Sequence, residues 1–410
     1  MQRIGIFLIA LLAGWPLLSA QQMINAPLLG LQVDVVYLSS DLLEGRETGK
    51  EGETMAAQYI AHRFQELGLQ PKGAGGSWYQ SFDFNYKAHP HAEEGEARTG
   101  KNVLGYLDNG AEQTVIIGAH YDHLGHGIMG SLNAGDPAIH NGADDNASGV
   151  AAMLRIAEDL KKGRDKNNNY LFMGFSGEEM GLYGSKYFAN NPTINLGKAN
   201  YMLNLDMVGR LNEEKVLAIS GAGTSPAWKE VMEGLSIGGI QAKLSDSGIG
   251  PSDHTSFYLK DIPVLHFFTG QHTDYHKPSD DAELVNYQGI LLVTDYILAL
   301  IDELDDNGPL AFTKTKDEEE GKRAAAFKVT LGVMPDYVYT GEGMRIDGVI
   351  DGRPGAAAGL ENGDVIIRIG DTEVKDIYGY MEGLGKYKAG DKAIVVVKRG
   401  EEVIEKEVEF

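Results

Sequence analysis

Short apolar runs alternate with amphipathic stretches along the first 304 residues. Helical spacing is clearest over residues 48–68, where apolar side chains recur three or four positions apart and Gly68 stands where a helix commonly ends. The predicted strands are 114–119, 170–175, 200–205 and 262–268, and the further predicted helices are 148–161, 180–190 and 288–304. Strands that alternate with helices predict an α/β fold with a mixed, mostly parallel central sheet flanked by helices.

The pattern also suggests where the chain divides into domains. Residues 306–323 are charged and lack apolar periodicity, so we predict that they form a linker. Residues 324–410 are rich in β-branched residues and glycine turns, which predicts a small β-rich domain. The first domain is therefore expected over residues 21–305. Within it, the polar stretches 73–76 and 87–100 are predicted to be surface excursions.

Residues 1–20 have the pattern of a secretory signal peptide. Arg3 precedes an apolar run over residues 4–18, and Ser19-Ala20 offers small residues at a cleavage point. The run is shorter than the ~20 apolar residues that a membrane span needs. We expect export to the periplasm or the medium, with no stable membrane span after cleavage. An uncleaved anchor is the alternative.

Composition narrows the chemistry. The 410 residues carry a formal net charge of −23, which argues against nucleic acid as a partner because such binding needs a basic surface. The sequence has no cysteine, so disulfides and thiolate metal sites are excluded. Any bound metal must be held by histidine, aspartate or glutamate.

Five clusters of acidic and imidazole side chains occur in order, and four of them directly follow predicted strands. The clusters are 118–123 (GAHYDH), 141–149 (NGADDNASG), 175–179 (FSGEE), 204–207 (NLDM) and 274–280 (DYHKPSD). In a sheet of this class, ligands bind beyond the carboxyl ends of the strands. Asp206 is the most informative member, because an acid embedded in an apolar strand is costly to bury unless it is paired or metal-bound.

Oxygen and imidazole ligands without thiolate suit zinc, with manganese and cobalt as rivals. Two close cations need one shared carboxylate and about two further ligands each, with positions left for water. The residues that provide this count are His120, Asp145, Glu179, Asp206 and His276, with Asp145 as the bridge. Glu178 remains beside a ligand, in a position to take a proton from water. Asp122 could accept the second imidazole N–H of His120.

These motifs resemble the co-catalytic di-zinc aminopeptidase family, whose relatives include glutamate carboxypeptidase and the glutaminyl cyclases. The resemblance covers roughly residues 39–304 and includes the stretches 44–49 (EGRETG) and 251–254 (PSDH). It implies that His120 and Asp206 hold one zinc ion and that Glu179 and His276 hold the other. It also implies Glu178 as general base and acid, Tyr275 as a donor to the oxyanion, and peptides with a free N-terminus as substrates. The remaining histidines 123, 126, 140, 254 and 272 are expected near the ligands or at the surface rather than on the metals.

The C-terminal domain resembles a PDZ domain. Residues 330–333 (TLGV) are similar to the loop that captures a peptide carboxylate through backbone N–H groups, here those of Leu331, Gly332 and Val333. Residues 352–366 are similar to the helix, turn and strand that follow. The resemblance implies a peptide or protein ligand bound as an added strand. A purely packing or gating role is the alternative.

Three other functions stay open at this point: glutaminyl cyclisation, carboxypeptidase action on acidic dipeptides, and a catalytically silent peptide-binding scaffold. The presence of both His120 and Asp206 favours two metals and therefore hydrolysis over cyclisation. An intact Glu178 beside a full ligand set argues against a silent scaffold.

Overall fold

The computed structural model describes residues 25–86, 95–133, 135–163, 167–315, 329–335, 339, 341–349, 352–375, 377–400 and 402–410. The predicted signal peptide and residues 316–323 of the predicted linker lie outside these ranges. Within them, no helix is both long enough and apolar enough to span a bilayer.

The described part of the chain contains nine α-helices and fifteen strands. The helices are α1 (Ala26–Leu38), α2 (Glu51–Glu66), α3 (Gly149–Lys162), α4 (Tyr183–Asn190), α5 (Pro226–Gly234), α6 (His254–Tyr258), α7 (Tyr287–Leu304), α8 (Pro354–Ala357) and α9 (Ile377–Gly385). The strands of the first domain are β1 (Gln70–Pro71), β2 (Tyr79–Tyr86), β3 (Glu96–Leu107), β4 (Gln113–His120), β5 (Asn168–Phe175), β6 (Ala199–Leu205), β7 (Val216–Ser220), β8 (Gln241–Ser245) and β9 (Val264–Phe268). Those of the C-terminal domain are β10 (Val333–Pro335), β11 (Met344–Val349), β12 (Val365–Ile369), β13 (Thr372–Glu373), β14 (Lys392–Arg399) and β15 (Glu402–Glu409).

The first domain is built on one mixed sheet with helices on both faces, as the sequence predicts. Its strand order is β1-β3-β5-β4-β6-β9-β7-β8, and β2 pairs with β3 outside that path. The four central strands β5, β4, β6 and β9 are parallel, while β3 and β7 join them in antiparallel pairs. The central strands therefore end at one edge of the sheet, where His120 and Asp206 lie.

Apolar periodicity places the helices on this sheet. α2 buries Ala56, Ile60 and Phe64 at the spacing of one helix face, and Gly68 follows its end with a φ of 68°. α3 and α7 bury long apolar faces in the same core cluster. The strands β4, β5, β6 and β9 each lie within three residues of their predicted limits.

Several elements were not predicted from the sequence, and the start of β3 and helix α1 are two of them. Residues 96–100, expected in a surface excursion, form the first part of β3, which pairs with β2 over eight residues. These strands carry many polar side chains because they form an outlying hairpin with much of its surface in solvent. Helix α1 was not predicted, since its apolar residues lie all around the helix and show no amphipathic contrast.

The segment after α7 is bound to the first domain as far as residue 315. The backbone N–H of Leu310 donates to Asn200 Oδ1 at 2.8 Å, and the N–H of Thr313 donates to the Thr224 carbonyl at 2.8 Å. Thr315 donates its N–H to the Tyr258 hydroxyl at 3.0 Å. The first ten residues of the predicted linker therefore pack on the domain that precedes them, and the remaining eight lie outside the described residues.

The C-terminal domain contains a wholly antiparallel sheet in the order β10-β11-β12-β14-β15, with β13 paired to β12. Its separate apolar core includes Leu331, Ile346, Leu360 and Val395. The predicted helix, turn and strand of residues 352–366 appear as α8, the turn after it and the start of β12.

Candidate metal centre

The ends of two neighbouring parallel strands supply the first pair of candidate ligands. His120 is the last residue of β4, and Asp206 directly follows β6. His120 Nε2 lies 3.3 Å from Asp206 Oδ1, although the two residues are 86 positions apart in the chain. The second oxygen of Asp206 accepts a hydrogen bond of 2.6 Å from the Ser252 hydroxyl. The carboxylate is thus oriented with one oxygen toward His120.

Asp145 lies on an irregular turn just before α3 and is almost fully buried. Its Oδ1 is 3.3 Å from His120 Nε2, and its Oδ2 is 3.2 Å from His276 Nε2. The Asp280 carboxylate holds this turn by accepting the backbone N–H groups of Asp144 at 3.0 Å and Asp145 at 3.1 Å. Asp145 therefore faces two imidazoles, as the bridging role requires.

Glu179 and His276 form the other side of the cluster. Glu179 Oε2 lies 3.3 Å from His276 Nε2. The Nδ1–H of His276 donates to the Gly130 carbonyl at 2.9 Å, which directs the lone pair of Nε2 toward the two carboxylates. The loop that contains Gly130 also donates the Leu132 N–H to the His276 carbonyl at 2.9 Å. This loop fixes both the ring and the backbone of a candidate ligand.

The four nitrogen–oxygen separations of 3.2–3.3 Å fit metal coordination better than direct ion pairing. Charge-assisted N–H···O bonds are shorter, about 2.7–2.9 Å. A tetrahedral zinc ion with bonds of about 2.0–2.2 Å keeps its ligand atoms about 3.3 Å apart. Ligand atoms of His120, Asp145 and Asp206 lie within 4.8 Å of one another, and so do those of His123, Asp145 and Glu179. All five predicted ligands meet here, because His276 Nε2 also lies 3.2 Å from Asp145 and 3.3 Å from Glu179, and they fit two cations that share Asp145.

The charges in the cluster compensate one another. Burial alone would lower the pKa of His120, but Asp206 and Glu178 raise it well above the usual value. Burial would likewise raise the pKa of Glu179, yet the charge of His276 and hydrogen bonds from the imidazoles lower it to about 2. The Glu179 carboxylate therefore stays ionised and attracts positive charge.

Glu178 belongs to neither ligand group. Burial and the nearby charge of Asp206 raise its pKa well above the usual value, although His120 opposes the shift. Its backbone N–H donates to Asp122 Oδ1 at 3.1 Å. A half-buried carboxyl group with a raised pKa next to the candidate ligands has the properties of a general base and acid.

Tyr275 stacks on His276, with ring centroids 3.8 Å apart, and packs against the apolar cluster of Met207, Ala218 and Phe268. Burial and the negative charges of Asp145 and Glu179 raise the pKa of its phenol well above 10. The hydroxyl therefore stays protonated and can act as a hydrogen-bond donor near the carboxylates.

Asp122 is placed differently from the sequence prediction. His120 Nδ1 lies 3.2 Å from the backbone carbonyl of Asp122 but 3.8 Å from its carboxylate. The carbonyl is thus the nearer acceptor for the second imidazole N–H. The Asp122 carboxylate instead accepts the Thr48 hydroxyl at 3.0 Å and the backbone N–H groups of Glu178 and Glu179 at 3.1 and 3.4 Å.

Sequence reasoning did not assign roles to two further residues at this site. His123 donates to Glu179 across 56 positions of chain. Arg46, within the 44–49 motif, is buried and donates to the carbonyls of Tyr121, Asn141 and Gly142 at 2.7, 2.7 and 3.0 Å, and also to that of Leu38. Burial lowers the pKa of Arg46 to about 10, so it is still charged at neutral pH. The only sequence signal for it was the position of the motif itself.

The candidate peptide-binding loop of the C-terminal domain lies before β10. Leu331 is buried in the apolar core of that domain, and Gly332 has a φ of 67°. The Gly332 N–H donates to Thr330 Oγ1 at 2.9 Å. An added side chain at Gly332 would overlap the Arg353 stem, because an ideal Cβ would stand 2.2 Å from Arg353 Cβ.

Comparison with known proteins matches two family models to separate parts of the chain. Residues 102–301 match the family model described as Peptidase family M28, and residues 313–410 match the PDZ domain. Leupeptin-inactivating enzyme 1 from Streptomyces exfoliatus is 31% identical over 188 residues, which cover 45% of this chain and 39% of that protein. Over the first three curated relatives, the match spans 39–53% of their own length.

Solved structures agree on the fold. A zinc aminopeptidase from Bacillus subtilis superposes with a TM-score of 0.53 at 17% identity, covering 69% of this chain and 95% of that one. The glutaminyl cyclase of Porphyromonas gingivalis gives a TM-score of 0.53 at 18% identity, covering 67% of this chain and 98% of that one. At these identities the similarity shows a shared architecture.

Proposed function

Because this chain belongs to peptidase family M28 over residues 102–301 and carries a PDZ domain over residues 313–410, we propose that it is an exported metallo-aminopeptidase that removes N-terminal residues from peptides. The observation that carries this proposal is the pair of ligand groups that share Asp145, with ligand separations of 3.2–3.3 Å. Two zinc ions are the proposed occupants, and manganese or cobalt are possible substitutes.

His120 and Asp206 would hold one ion, Glu179 and His276 the other, and Asp145 both. When bound, such ions lower the pKa of water and polarise a carbonyl group. The protein side chains do the rest. Glu178 accepts a proton from the attacking water and gives it to the departing amine. The Tyr275 hydroxyl donates a hydrogen bond to the oxygen that becomes negatively charged. The surrounding carboxylates favour a substrate whose amino group is free.

The direct test is the variant Glu178→Gln, which removes the base and keeps the size of the side chain. We expect wild-type protein loaded with zinc to retain about two ions per chain and to hydrolyse aminoacyl 4-nitroanilides, with no activity on N-acetylated versions. The variant should retain both ions and lose at least about 100-fold in kcat, since general base catalysis typically contributes 10²–10⁴. Equal turnover by the two proteins on unblocked substrates would exclude this function.

Glutaminyl cyclisation is the second candidate, favoured by the shared architecture with the Porphyromonas gingivalis cyclase. The two activities differ in their products. A cyclase acting on a peptide with N-terminal glutamine releases ammonia and leaves the peptide bond intact, whereas an aminopeptidase releases free glutamine. Mass spectrometry of the products formed from this peptide distinguishes cyclase from aminopeptidase activity. The products formed from an acidic dipeptide and from its N-acetyl form distinguish aminopeptidase from carboxypeptidase activity.

For the PDZ domain we propose binding of a peptide or protein C-terminus at the loop of Leu331, Gly332 and Val333. The positive φ of Gly332 and the position of its loop before β10 support this site. Fluorescence anisotropy with peptides that have free or amidated C-termini tests it in the full chain. Preference for the free carboxylate is expected, and Gly332→Val should remove it. Equal binding of both peptides would leave gating or packing as the role of this domain.

Export is proposed from the first twenty residues alone. Expression of the full chain in a Gram-negative host, followed by fractionation and N-terminal sequencing, tests it. A mature protein that begins at Gln21 in the periplasm or medium is expected. Full-length protein in the membrane fraction would instead identify residues 4–18 as an anchor.

A further inference from the structure

His123 is a buried imidazole whose one close partner in the described structure is a candidate metal ligand. Its Nδ1 lies 2.8 Å from Glu179 Oε1 and 4.0 Å from Asp145 Oδ2. Its Nε2 is buried and has no hydrogen-bond partner among the described residues. The ring is therefore oriented by its contact with Glu179 and by packing.

The short separation determines which atom carries the hydrogen. An ionised carboxylate only accepts hydrogen bonds, so a contact of 2.8 Å requires a hydrogen on His123 Nδ1. A nitrogen that carries a hydrogen has no lone pair for a cation. His123 Nδ1 therefore differs from His120 Nε2 and His276 Nε2, whose nearest carboxylate oxygens are 3.2–3.3 Å away.

Because of this contact, the two Glu179 oxygens have different partners. Oε1 accepts from His123, while Oε2 lies 3.3 Å from His276 Nε2, on the side of the second candidate ion. A carboxylate with one oxygen held in this way cannot rotate freely about its last bond. Its other oxygen is then presented to a cation in one orientation, which lowers the entropic cost of binding.

The imidazole itself is held in place by its surroundings. The backbone N–H of His123 donates to the Arg46 carbonyl at 3.1 Å. Gly142 packs against the ring so closely that an added Cβ would stand 2.6 Å from His123 Cδ2. The donor is thus fixed by backbone on one side and by a glycine on the other, so it can position a flexible glutamate.

We infer that His123 is a positioning residue that orients Glu179 for the second metal ion through its Nδ1–H. This inference rests on the proposed two-metal function. It predicts that metal binding depends on the position of the donor atom. A side chain with an N–H at the Nδ1 position should keep the metal affinity of histidine, and a side chain whose N–H lies at the Nε2 position should not.

The test compares three variants of the full chain by titration of the metal-free protein with zinc against a chromophoric chelator. His123→Asn keeps an amide N–H near the Nδ1 position and should bind both ions within about threefold of wild type. His123→Ala lacks the donor, and His123→Gln places its amide near the Nε2 position. Both should bind one of the two ions about 10–100-fold more weakly, the usual effect of removing such a partner, and leave the other ion unchanged.

His126→Ala, at an exposed histidine three positions away, is the matched control and should bind like wild type. Circular dichroism and thermal unfolding of the metal-free proteins check that every variant is folded. Two ions bound equally by wild type and His123→Ala would overturn the inference alone. If His123→Asn lost as much zinc affinity as His123→Ala, the inference would also be overturned, because that result is expected when His123 binds the metal directly. Wild-type protein without a second ion would overturn the proposed function as well.

Discussion

Asp145 Oδ2 lies 3.2 Å from His276 Nε2, although the two residues are separated by 131 positions and lie on different loops. The other oxygen of the same carboxylate is 3.3 Å from His120 Nε2. One side chain thus joins two halves of the candidate metal centre. Neither half has its full ligand set without it.

Asp145→Asn should therefore affect both ions rather than one. An amide is neutral and has a single acceptor oxygen, so it cannot bridge two cations as a carboxylate does. We expect less than one zinc ion per chain after dialysis and a loss of hydrolysis of at least about 100-fold. Elemental analysis measures the metal. Asp261→Asn, at an exposed position with a φ of 59°, is the control, and retention of two ions by Asp145→Asn would contradict the bridging role.

Gly142→Ala should damage the same site through a steric effect. Gly142 has a φ of 55°, and an ideal Cβ would stand 2.1 Å from the Asp145 carbonyl oxygen and 2.6 Å from His123. The turn must move, so we expect weaker zinc binding and a lower melting temperature. Gly110→Ala is the matched control, because Gly110 also has a positive φ of 73° but has open space around it.

The control separates backbone strain from collision. Gly110→Ala should lose only the ~1 kcal/mol that a left-handed conformation costs a residue with a Cβ, and its zinc affinity should not change. If both glycine variants bound zinc equally well, close packing at Gly142 would not matter for the site.

Arg46→Lys should destabilise the first domain even though the charge is kept. Arg46 satisfies the carbonyls of Tyr121, Asn141 and Gly142 from one buried side chain, and lysine has fewer donors on a differently shaped head. Each buried acceptor left without a partner costs about 1–3 kcal/mol. We expect the free energy of unfolding to fall by at least about 2 kcal/mol in denaturant titrations. Arg155→Lys, in ion pairs along α3, should change it by less than about 1 kcal/mol.

Glu53 should make stability depend on pH. It is buried, accepts the Gly49 N–H at 2.7 Å, and burial raises its pKa from 4.5 to about 8. Below pH 4.5 Glu53 is protonated in both the folded and the unfolded protein, so its full contribution to the free energy of unfolding is present. As the pH rises toward about 8, the unfolded chain ionises while the folded protein keeps the proton. The free energy of unfolding should therefore fall, by at most about 1.4 kcal/mol per pH unit.

Glu53→Gln removes this titration and resembles the protonated side chain. Relative to wild type, the variant should gain stability as the pH rises from 5 to 9, as measured by denaturant titration at each pH. Glu51→Gln, at the exposed start of the same helix, is the comparison. A constant difference between wild type and Glu53→Gln across this range would show that Glu53 is ionised in the folded protein.

The parts of the site that sequence reasoning located share a local signal. His120, Glu179 and Asp206 each come at or just after an apolar strand, so strand direction alone brings them to one edge of the sheet. The fold of the first domain was predictable for the same reason, since its central strands and the helices α2, α3 and α7 have clear periodicity. The resemblance to a zinc peptidase family then supplied the assignment of ligands to ions.

The parts that were missed depend on contacts between distant segments. The bond from His123 to Glu179 spans 56 positions, and Arg46 reaches carbonyls 75 to 96 positions away. No periodicity encodes such contacts. Helix α1 was not predicted because its apolar residues are not concentrated on one face. The start of β3 was not predicted because its side chains are largely polar. Asp122 was correctly placed near His120. The sequence does not show that its carboxylate accepts backbone N–H groups at 3.1 and 3.4 Å rather than the imidazole N–H at 3.8 Å, because these distances differ by less than 1 Å.

Asp122 has one further consequence. Its carboxylate accepts the backbone N–H groups of Glu178 and Glu179, while its neighbours His120 and His123 contact Asp206 and the Glu179 side chain. The proposed proton carrier Glu178 and the candidate ligands Asp206 and Glu179 therefore contact the same few residues at and just after the end of β4. Thermal motion of the loop after β5 would change their spacing little, because the buried Asp122 carboxylate that holds this loop lies in a different segment, directly after β4.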